Sequence, residues 1–361
     1  MPSLLETVAG LSREFGGPDY VRGGGGNTSA KNIDTLWVKP SGTTLAEMKP
    51  ETFVAMDRER ISRLYTETPP AEAAAREALV KTRMAEAVRP GSSGRPSVEA
   101  PLHNAFSFTY VVHTHPAIVN AMTCARQGED VCRRRFPEAL WIPYTDPGYT
   151  LCMKVRNACR DWEKTRGREP RVVFLENHGI FVGGSAPEEI RETMAGTIAE
   201  LSGLLAAAGI PVELPIQPGP DPETAERTRR RLRDLLGADA AQAVFTGRFE
   251  TPGGPISPDH IVYAKSYVYD GPLEEEPINE FRKNRGYAPR VVRTRDSVWG
   301  LGDTKRNAEL ALEFALDGAQ VQHYARAFGG IQYLDAAARD FIENWEVESY
   351  RRSVALRGSE A

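Results

Sequence analysis

His113 and His115 are separated by one residue in Tyr110-Val111-Val112-His113-Thr114-His115, a β-branched, apolar run that reads as a strand. Alternate side chains leave the same face of a strand, so the two imidazoles share a side and can bind one ion together. A third nitrogen is available from His178, in Leu175-Glu176-Asn177-His178-Gly179, where another apolar strand breaks. Glu99 and His103 stand four apart and share a face if that stretch is helical, which adds a carboxylate able to ligate or to act as a base. Imidazole nitrogens with at most one carboxylate favour Zn2+ over Ca2+ or Mg2+, and another divalent transition metal could occupy the same donors. A single histidine would read as a hydrogen-bonding core residue. Here four of the chain's six fall between His103 and His178. His103 reads as a supporting residue, since the ion needs no further inward ligand.

A second concentration of polar chemistry is Arg22-Gly23-Gly24-Gly25-Gly26-Asn27-Thr28-Ser29-Ala30-Lys31. Its glycines let backbone N–H groups approach an anion. It is neither a dinucleotide fingerprint nor a Walker loop. Lys39-Pro40-Ser41-Gly42 is another tight turn, bearing a cation and a hydroxyl. Together the two loops could hold a phosphate, although either could also be plain turn chemistry.

These residues need a scaffold that brings distant segments together. Strands are predicted at Thr35 to Val38 and Tyr110 to His115, with a strand pair from Arg171 to Val182 broken near Asn177-His178-Gly179. Ser185 with Glu188 predicts a capping box for a helix running to Leu205, with Pro187 in its first turn. Five prolines between Pro211 and Pro222 forbid regular structure there, which predicts a catalytic domain over 1–210, a linker over 211–222 and an α/β domain over 223–361.

The two halves share a pattern. Pro170-Arg171-Val172-Val173 and Pro289-Arg290-Val291-Val292 open similar segments, with Gly183 matched to Gly302 and Ser185 to Thr304. Tyr110 to His115 is matched to His260 to Lys265, so the paired histidines fall on Tyr263 and Lys265 and His178 falls on Ser297. On that reading the second half is a degenerate copy without metal ligands; the alternative is a shared strand-loop-cap-helix pattern.

The chain has 361 residues, 41% of them hydrophobic, enough for one large domain or two medium ones. A net charge of -4 leaves no global basic field for nucleic acid or an anionic membrane. The arginine runs at 133–135 and 227–233 read as solvated helix faces. Four dispersed cysteines fit a reducing cytoplasm. No apolar stretch reaches the roughly 18 residues that span a bilayer, and Met1 to Gly16 carries the charges of an amphipathic helix rather than a signal peptide.

Gly26-Asn27-Thr28-Ser29, Lys39-Pro40-Ser41-Gly42, Ser97-Val98-Glu99, His113-Thr114-His115-Pro116 and Asn177-His178-Gly179 occur in the order that resembles the class II aldolase/adducin family, over residues 1–208. The resemblance implies an α/β fold: a three-layer α/β/α sandwich around a mainly antiparallel sheet, assembled as a homo-oligomer, usually a tetramer. It implies His113, His115 and His178 as zinc ligands and Glu99 as the catalytic carboxylate. Asn27, Ser41, Gly42 and Ser97 would line a phosphate site, with Lys39 beside them. A tyrosine, Tyr144 or Tyr149, would serve the oxygen of the second fragment. The implied reaction cleaves a ketose 1-phosphate, or a related hydroxyketone, to dihydroxyacetone phosphate and an aldehyde through a metal-stabilised enediolate. A sugar-phosphate 4-epimerase and a non-catalytic adducin-like scaffold are the alternatives. Ser257-Pro258-Asp259-His260 and Trp345-Glu346-Val347-Glu348-Ser349-Tyr350-Arg351 resemble the aldolase half of fused rhamnulose-1-phosphate aldolase/dehydrogenase chains, whose dehydrogenase half has no counterpart here. Val98 departs from the family's two consecutive serines before the glutamate.

Overall fold

The structure, a computed structural model, describes residues 3–345. Glu346 to Arg351 of the tail motif lie outside the described residues. Two compact units form: one holds the chain up to Thr123 together with Gln127–Gly203, the other holds Cys124–Arg126 and the chain from Leu204 on.

In the first unit, α1 (Leu4–Glu14) starts on a capping box. The Glu6 amide donates to Ser3 Oγ (3.2 Å), and the Ser3 amide donates to the Glu6 carboxylate (2.6 Å). There follow β1 (Asn27–Lys31), β2 (Thr35–Val38), β3 (Val54–Asp57), α2 (Arg58–Arg63), α3 (Ala73–Ala87), α4 (Ala100–Ala105) and β4 (Tyr110–Thr114). Next come α5 (Ala117–Thr123), α6 (Gly128–Arg135), β5 (Ala139–Ile142), α7 (Tyr149–Arg166), β6 (Val172–Leu175), β7 (Gly179–Gly184) and α8 (Pro187–Ala207). Seven strands make one sheet in the order β3-β2-β1-β4-β7-β6-β5, antiparallel except for the β5–β6 pair. The predicted mainly antiparallel α/β architecture is what forms.

Strand alternation divides β1 between two helical layers. Thr28 faces α1, where its hydroxyl meets Ser12 Oγ at 2.7 Å. Asn27 and Ser29 face the other way, toward Glu99 and His103. Water is excluded from both faces, and all five residues of β1 are buried. Under the second layer, Val111, Ile142, Val173 and Phe181 from the strands pack with Leu151, Cys152 and Val155 from α7. At about 25 cal/mol per Å² of buried apolar surface, that core holds the sheet and α7 together. The helix after β7 starts close to its predicted position. The Ser185 amide donates to the carboxylate of Glu189 (2.7 Å), so the acidic side chain that turns back onto the helix start is Glu189 and not Glu188.

The second unit contains α9 (Pro222–Leu236), β8 (Gln242–Gly247), α10 (Pro258–Ala264), α11 (Glu275–Arg285), β9 (Val291–Arg293), β10 (Ser297–Gly302), α12 (Lys305–Ala325) and α13 (Ala336–Asn344). The proline-rich stretch before α9 has neither helix nor strand, as its prolines require. Its carbonyls are nonetheless used: Pro211 accepts from His323 Nε2 (2.9 Å) and Val212 from the Tyr324 hydroxyl (2.7 Å). The arginines of α9 form i,i+3 and i,i+4 pairs, Arg227 with Glu223 and Arg229 and Arg230 with Glu226. They are a solvated face, as expected.

The three strands of the second unit run β8-β10-β9, antiparallel throughout, and Tyr269 adds a parallel bridge to Val292 on the outer edge. This reproduces β4-β7-β6 with β5 outside. One row across the first sheet reads His113, Phe181, Val173, Leu140; the row in the same place of the second reads Phe245, Trp299, Val292, Tyr269. His113 stacks on Phe181 (ring centroids 3.9 Å apart), and Phe245 packs on Trp299 (4.6 Å). The helices that follow, α8 and α12, are each 21 residues long.

This register corrects the sequence match. His260 to Lys265 is no strand: it lies in and at the end of α10, which Pro258 starts in its first turn. The strand in the place of Tyr110 to Thr114 is β8, so His113 corresponds to Phe245 and His115 to Gly247. Leu175 pairs with Gly179 across three turn residues, whereas the Thr294 amide donates to the Ser297 carbonyl (2.8 Å) across two. Ser297 therefore takes the place of Gly179, and the shorter turn has no equivalent of His178. A Cβ on Gly247 would lie 1.8 Å from the Gln217 carbonyl oxygen, so the proline-rich stretch fills the space that holds His115 in the first unit.

Candidate active site

Three elements deliver the histidines. β4 carries His113, and His115 follows just past its end, held where its amide donates to the Tyr20 carbonyl (2.9 Å). His178 sits in the turn between β6 and β7, which Asn177 closes in a left-handed conformation (φ 52°) that asparagine adopts more readily than most residues. The ring nitrogens of His113, His115 and His178 lie within 4.8 Å of one another, and the Nε2 atoms of His113 and His115 are 3.0 Å apart.

The hydrogen bonds fix what these nitrogens can do. His113 Nδ1 faces the Ile180 carbonyl oxygen at 2.9 Å. A carbonyl can only accept, so Nδ1 carries the proton and, in the neutral ring, Nε2 keeps its lone pair toward the other two histidines. Phe181 lies flat on His113 (interplanar angle 7°) and blocks rotation about the ring. Two acceptor nitrogens held this close repel unless a proton or a cation lies between them. The donor set and the tautomer fit a divalent transition metal, with His113, His115 and His178 as its ligands.

Glu99 is the carboxylate at this cluster. It precedes the first turn of α4, is 5% exposed, and its Oε1 lies 3.5 Å from His113 Nε2 and 3.7 Å from His178 Nε2. Its other oxygen accepts a short hydrogen bond from the Asn27 amide. Asn27, expected at a phosphate, thus orients the carboxylate. Two residues along β1, Ser29 Oγ meets His103 Nδ1 at 2.8 Å, and the His103 amide donates to the Glu99 carbonyl (2.9 Å). Complete burial pushes the His103 imidazole down to about 3, so it stays neutral. Burial, with Arg58 adding to it, likewise pushes the Lys31 amine down to about 7, while it donates to the Phe108 carbonyl (2.9 Å).

The remaining expected residues fall into two groups. Lys39-Pro40-Ser41-Gly42 adjoins the segment before Glu99: Pro40 bridges Pro96, and the Ser41 amide donates to the Arg95 carbonyl (2.8 Å). Gly42 has a positive φ (86°), which this turn requires. Ser97 Oγ accepts from the Glu99 amide (3.2 Å), and Lys39 donates inward to the Thr43 carbonyl (2.6 Å). Tyr144 lies beyond β5; its amide donates to the Glu176 carboxylate (2.7 Å), which ties its loop to the turn bearing His178, and its hydroxyl donates to Asp146 (3.3 Å). Tyr149 is a core residue whose hydroxyl donates to the Leu64 carbonyl (3.3 Å). Of the two tyrosines, Tyr144 is on the loop tied to the turn that bears His178, and Tyr149 is packed in the core.

Sequence reading missed Gly179 and Phe181. A Cβ on Gly179 would lie 2.5 Å from both His115 Cδ2 and the Thr114 carbonyl oxygen, so only glycine lets β7 approach the second ligand this closely. The adjacency of Gly179 to His178 was the available signal. Nothing local marked Phe181, whose role depends on the β4–β7 register.

A seven-stranded α/β sheet with three converging imidazoles and one buried carboxylate defines the protein class. The chain belongs to the family described as class II aldolase and adducin N-terminal domain, whose model matches residues 6–198. The uncharacterized oxidoreductase YuxG of Bacillus subtilis (strain 168) is 30% identical over 190 residues, 49% of this chain and 26% of YuxG, so the chain spans about a quarter of that relative. Among solved structures, the N-terminal class II aldolase domain of a conserved protein from Thermoplasma acidophilum matches with a TM-score of 0.49 at 22% identity, over 57% of this chain and 95% of that one. L-fuculose-1-phosphate aldolase from Thermus thermophilus matches with a TM-score of 0.38 at 17% identity, over 58% and 96% of the respective chains. Among the described residues, no helix is long and apolar enough to cross a membrane.

Proposed function

We propose that this protein is an aldehyde-lyase that cleaves a ketose 1-phosphate to dihydroxyacetone phosphate and an aldehyde. The observation that carries the reading is the Glu99 carboxylate, buried and aimed at the three-histidine cluster. A divalent ion, zinc by its donor set, would supply Lewis-acid polarisation of the hydroxyketone oxygens when bound. Glu99 moves the proton at the carbon beside the carbonyl, and the Asn27 amide holds it in register for that transfer. Ser41, Gly42 and Ser97 bind the phosphate with backbone and hydroxyl donors, and Lys39 adds positive charge beneath their turn. Tyr144 takes the proton from the C4 hydroxyl as the C3–C4 bond breaks and that oxygen becomes the aldehyde carbonyl, and returns it in the reverse condensation.

The test is metal-loaded protein assayed against ketose 1-phosphates, rhamnulose 1-phosphate and fuculose 1-phosphate included, with coupled detection of dihydroxyacetone phosphate. Release that stops with chelator and returns with metal is the expected result. Inversion at C4 without release would replace the lyase by an epimerase, and the lack of a stoichiometric metal would favour the scaffold. The proposal includes a cytoplasmic setting, supported by four buried cysteines without a disulfide. It also includes a homotetramer, which sedimentation analysis would check.

A further inference from the structure

The second unit has kept the strand order of the first but not its helix. The Arg-Gly-x-x-Pro-Arg-Val-Val sequence at Arg166 recurs at Arg285, and in both places the glycine ends a helix in the left-handed conformation (Gly167 φ 70°, Gly286 φ 78°). Aligned on that end, α11 has 11 residues where α7 has 18. The residues of α7 that have no counterpart include Leu151, Cys152 and Val155, which fill the core against β5 and β6. Where the shortened helix meets the strand segment around Tyr269, a cavity of about 450 Å³ is open, within the roughly 300–1,000 Å³ of small-molecule sites.

One stripe of α11 lines it: Pro277, Glu280, Phe281, Asn284 and Arg285, at helical i, i+3, i+4, i+7, i+8 spacing. The charges on its wall are nearly balanced. Arg293 is committed to Asp270 (2.6 Å), and the Arg285 guanidinium lies 3.6 Å above the Tyr267 ring, which fixes its plane. Tyr267, Asn284 and Arg285 also border an adjoining cavity of about 300 Å³. The wall therefore presents a planar amide, a carboxylate and a stacked guanidinium, together with aromatic carbon. An amide and a carboxylate beside a stacked guanidinium and aromatic carbon suit the vicinal hydroxyls and C–H faces of a sugar. Asp270 and Glu280 offset Arg293 and Arg285, so the wall carries no net positive charge for a phosphate.

We infer that the second unit is a degenerate copy of the metal-binding half-sheet, and that the cavity along its remaining helix α11 is a binding site for an unphosphorylated monosaccharide. The site shares no residue with the histidine cluster and does not depend on the reaction proposed there. Calorimetric titration of the full chain with a panel of free aldoses and ketoses tests it, with inorganic phosphate and glycine as comparison probes. Saturable one-to-one binding of at least one sugar is expected. Asn284→Ala and Arg285→Ala, both at exposed positions, should each weaken it at least tenfold with unchanged melting temperature, while His115→Ala leaves it intact. The inference is overturned if no sugar binds, if only phosphate or glycine binds, or if His115→Ala abolishes binding that the two cavity variants retain.

Discussion

Gly179→Ala adds one methyl group to the turn behind His115. Its Cβ would stand 2.5 Å from His115 Cδ2 and 2.5 Å from the Thr114 carbonyl oxygen. Carbon atoms rest about 3.5–4.0 Å apart, so the imidazole has to retreat by about 1 Å. Gly179 has no positive φ, so the backbone itself accepts alanine and the effect is steric. Overpacking of this kind costs about 1–3 kcal/mol of stability. A functional constellation tolerates only about 0.5 Å of misplacement. Losses caused by groups that orient a ligand run to about 10–100-fold in metal affinity, or about 1.4–2.7 kcal/mol. Chelator-competition titration with Zn2+ measures this directly. Gly196→Ala is the control: nothing lies within 4 Å of its Cβ in α8, so it should leave affinity unchanged and gain up to about 1 kcal/mol of stability. If Gly179→Ala binds Zn2+ as tightly as the wild type, the contact with His115 does not position that ligand.

Glu99→Gln should keep the metal, since the amide oxygen can still accept from Asn27, and lower turnover by at least about 100-fold; loss of metal in the variant would make Glu99 a ligand instead. Because His103 is held at about 3 in the fold and titrates near 6.5 when unfolded, only the unfolded chain binds the proton between those values. Stability should therefore fall as pH drops through 6.5, by up to about 1.4 kcal/mol per unit, and His103→Gln should flatten that dependence in urea titrations at pH 7 and pH 5. Equal slopes for the two proteins would refute it. Trp299→Ala removes a fully buried ring from the core of the second unit and should cost about 3–5 kcal/mol in thermal or chemical unfolding. A loss under about 1 kcal/mol would mean that the sheet tolerates the void.

The sequence by itself placed the histidines and the carboxylate that converge in the first unit. Strand alternation put His113 and His115 on one face, and helical spacing put Glu99 and His103 on another, because both periodicities are local properties of the backbone. Prolines and glycines marked the irregular stretch and several of the turns for the same reason. The second half exposed the limit of such reading. Ile261-Val262-Tyr263 has strand composition, yet Pro258 begins a helix there, and β8 holds the place of β4 with little identity to it. Only strand register decided that Phe245 replaces His113, that Asn27 serves Glu99 before any phosphate, and that Gly179 must be glycine. Each of these depends on atoms brought together from distant parts of the chain, and pairing between strands leaves no period in the sequence of either one.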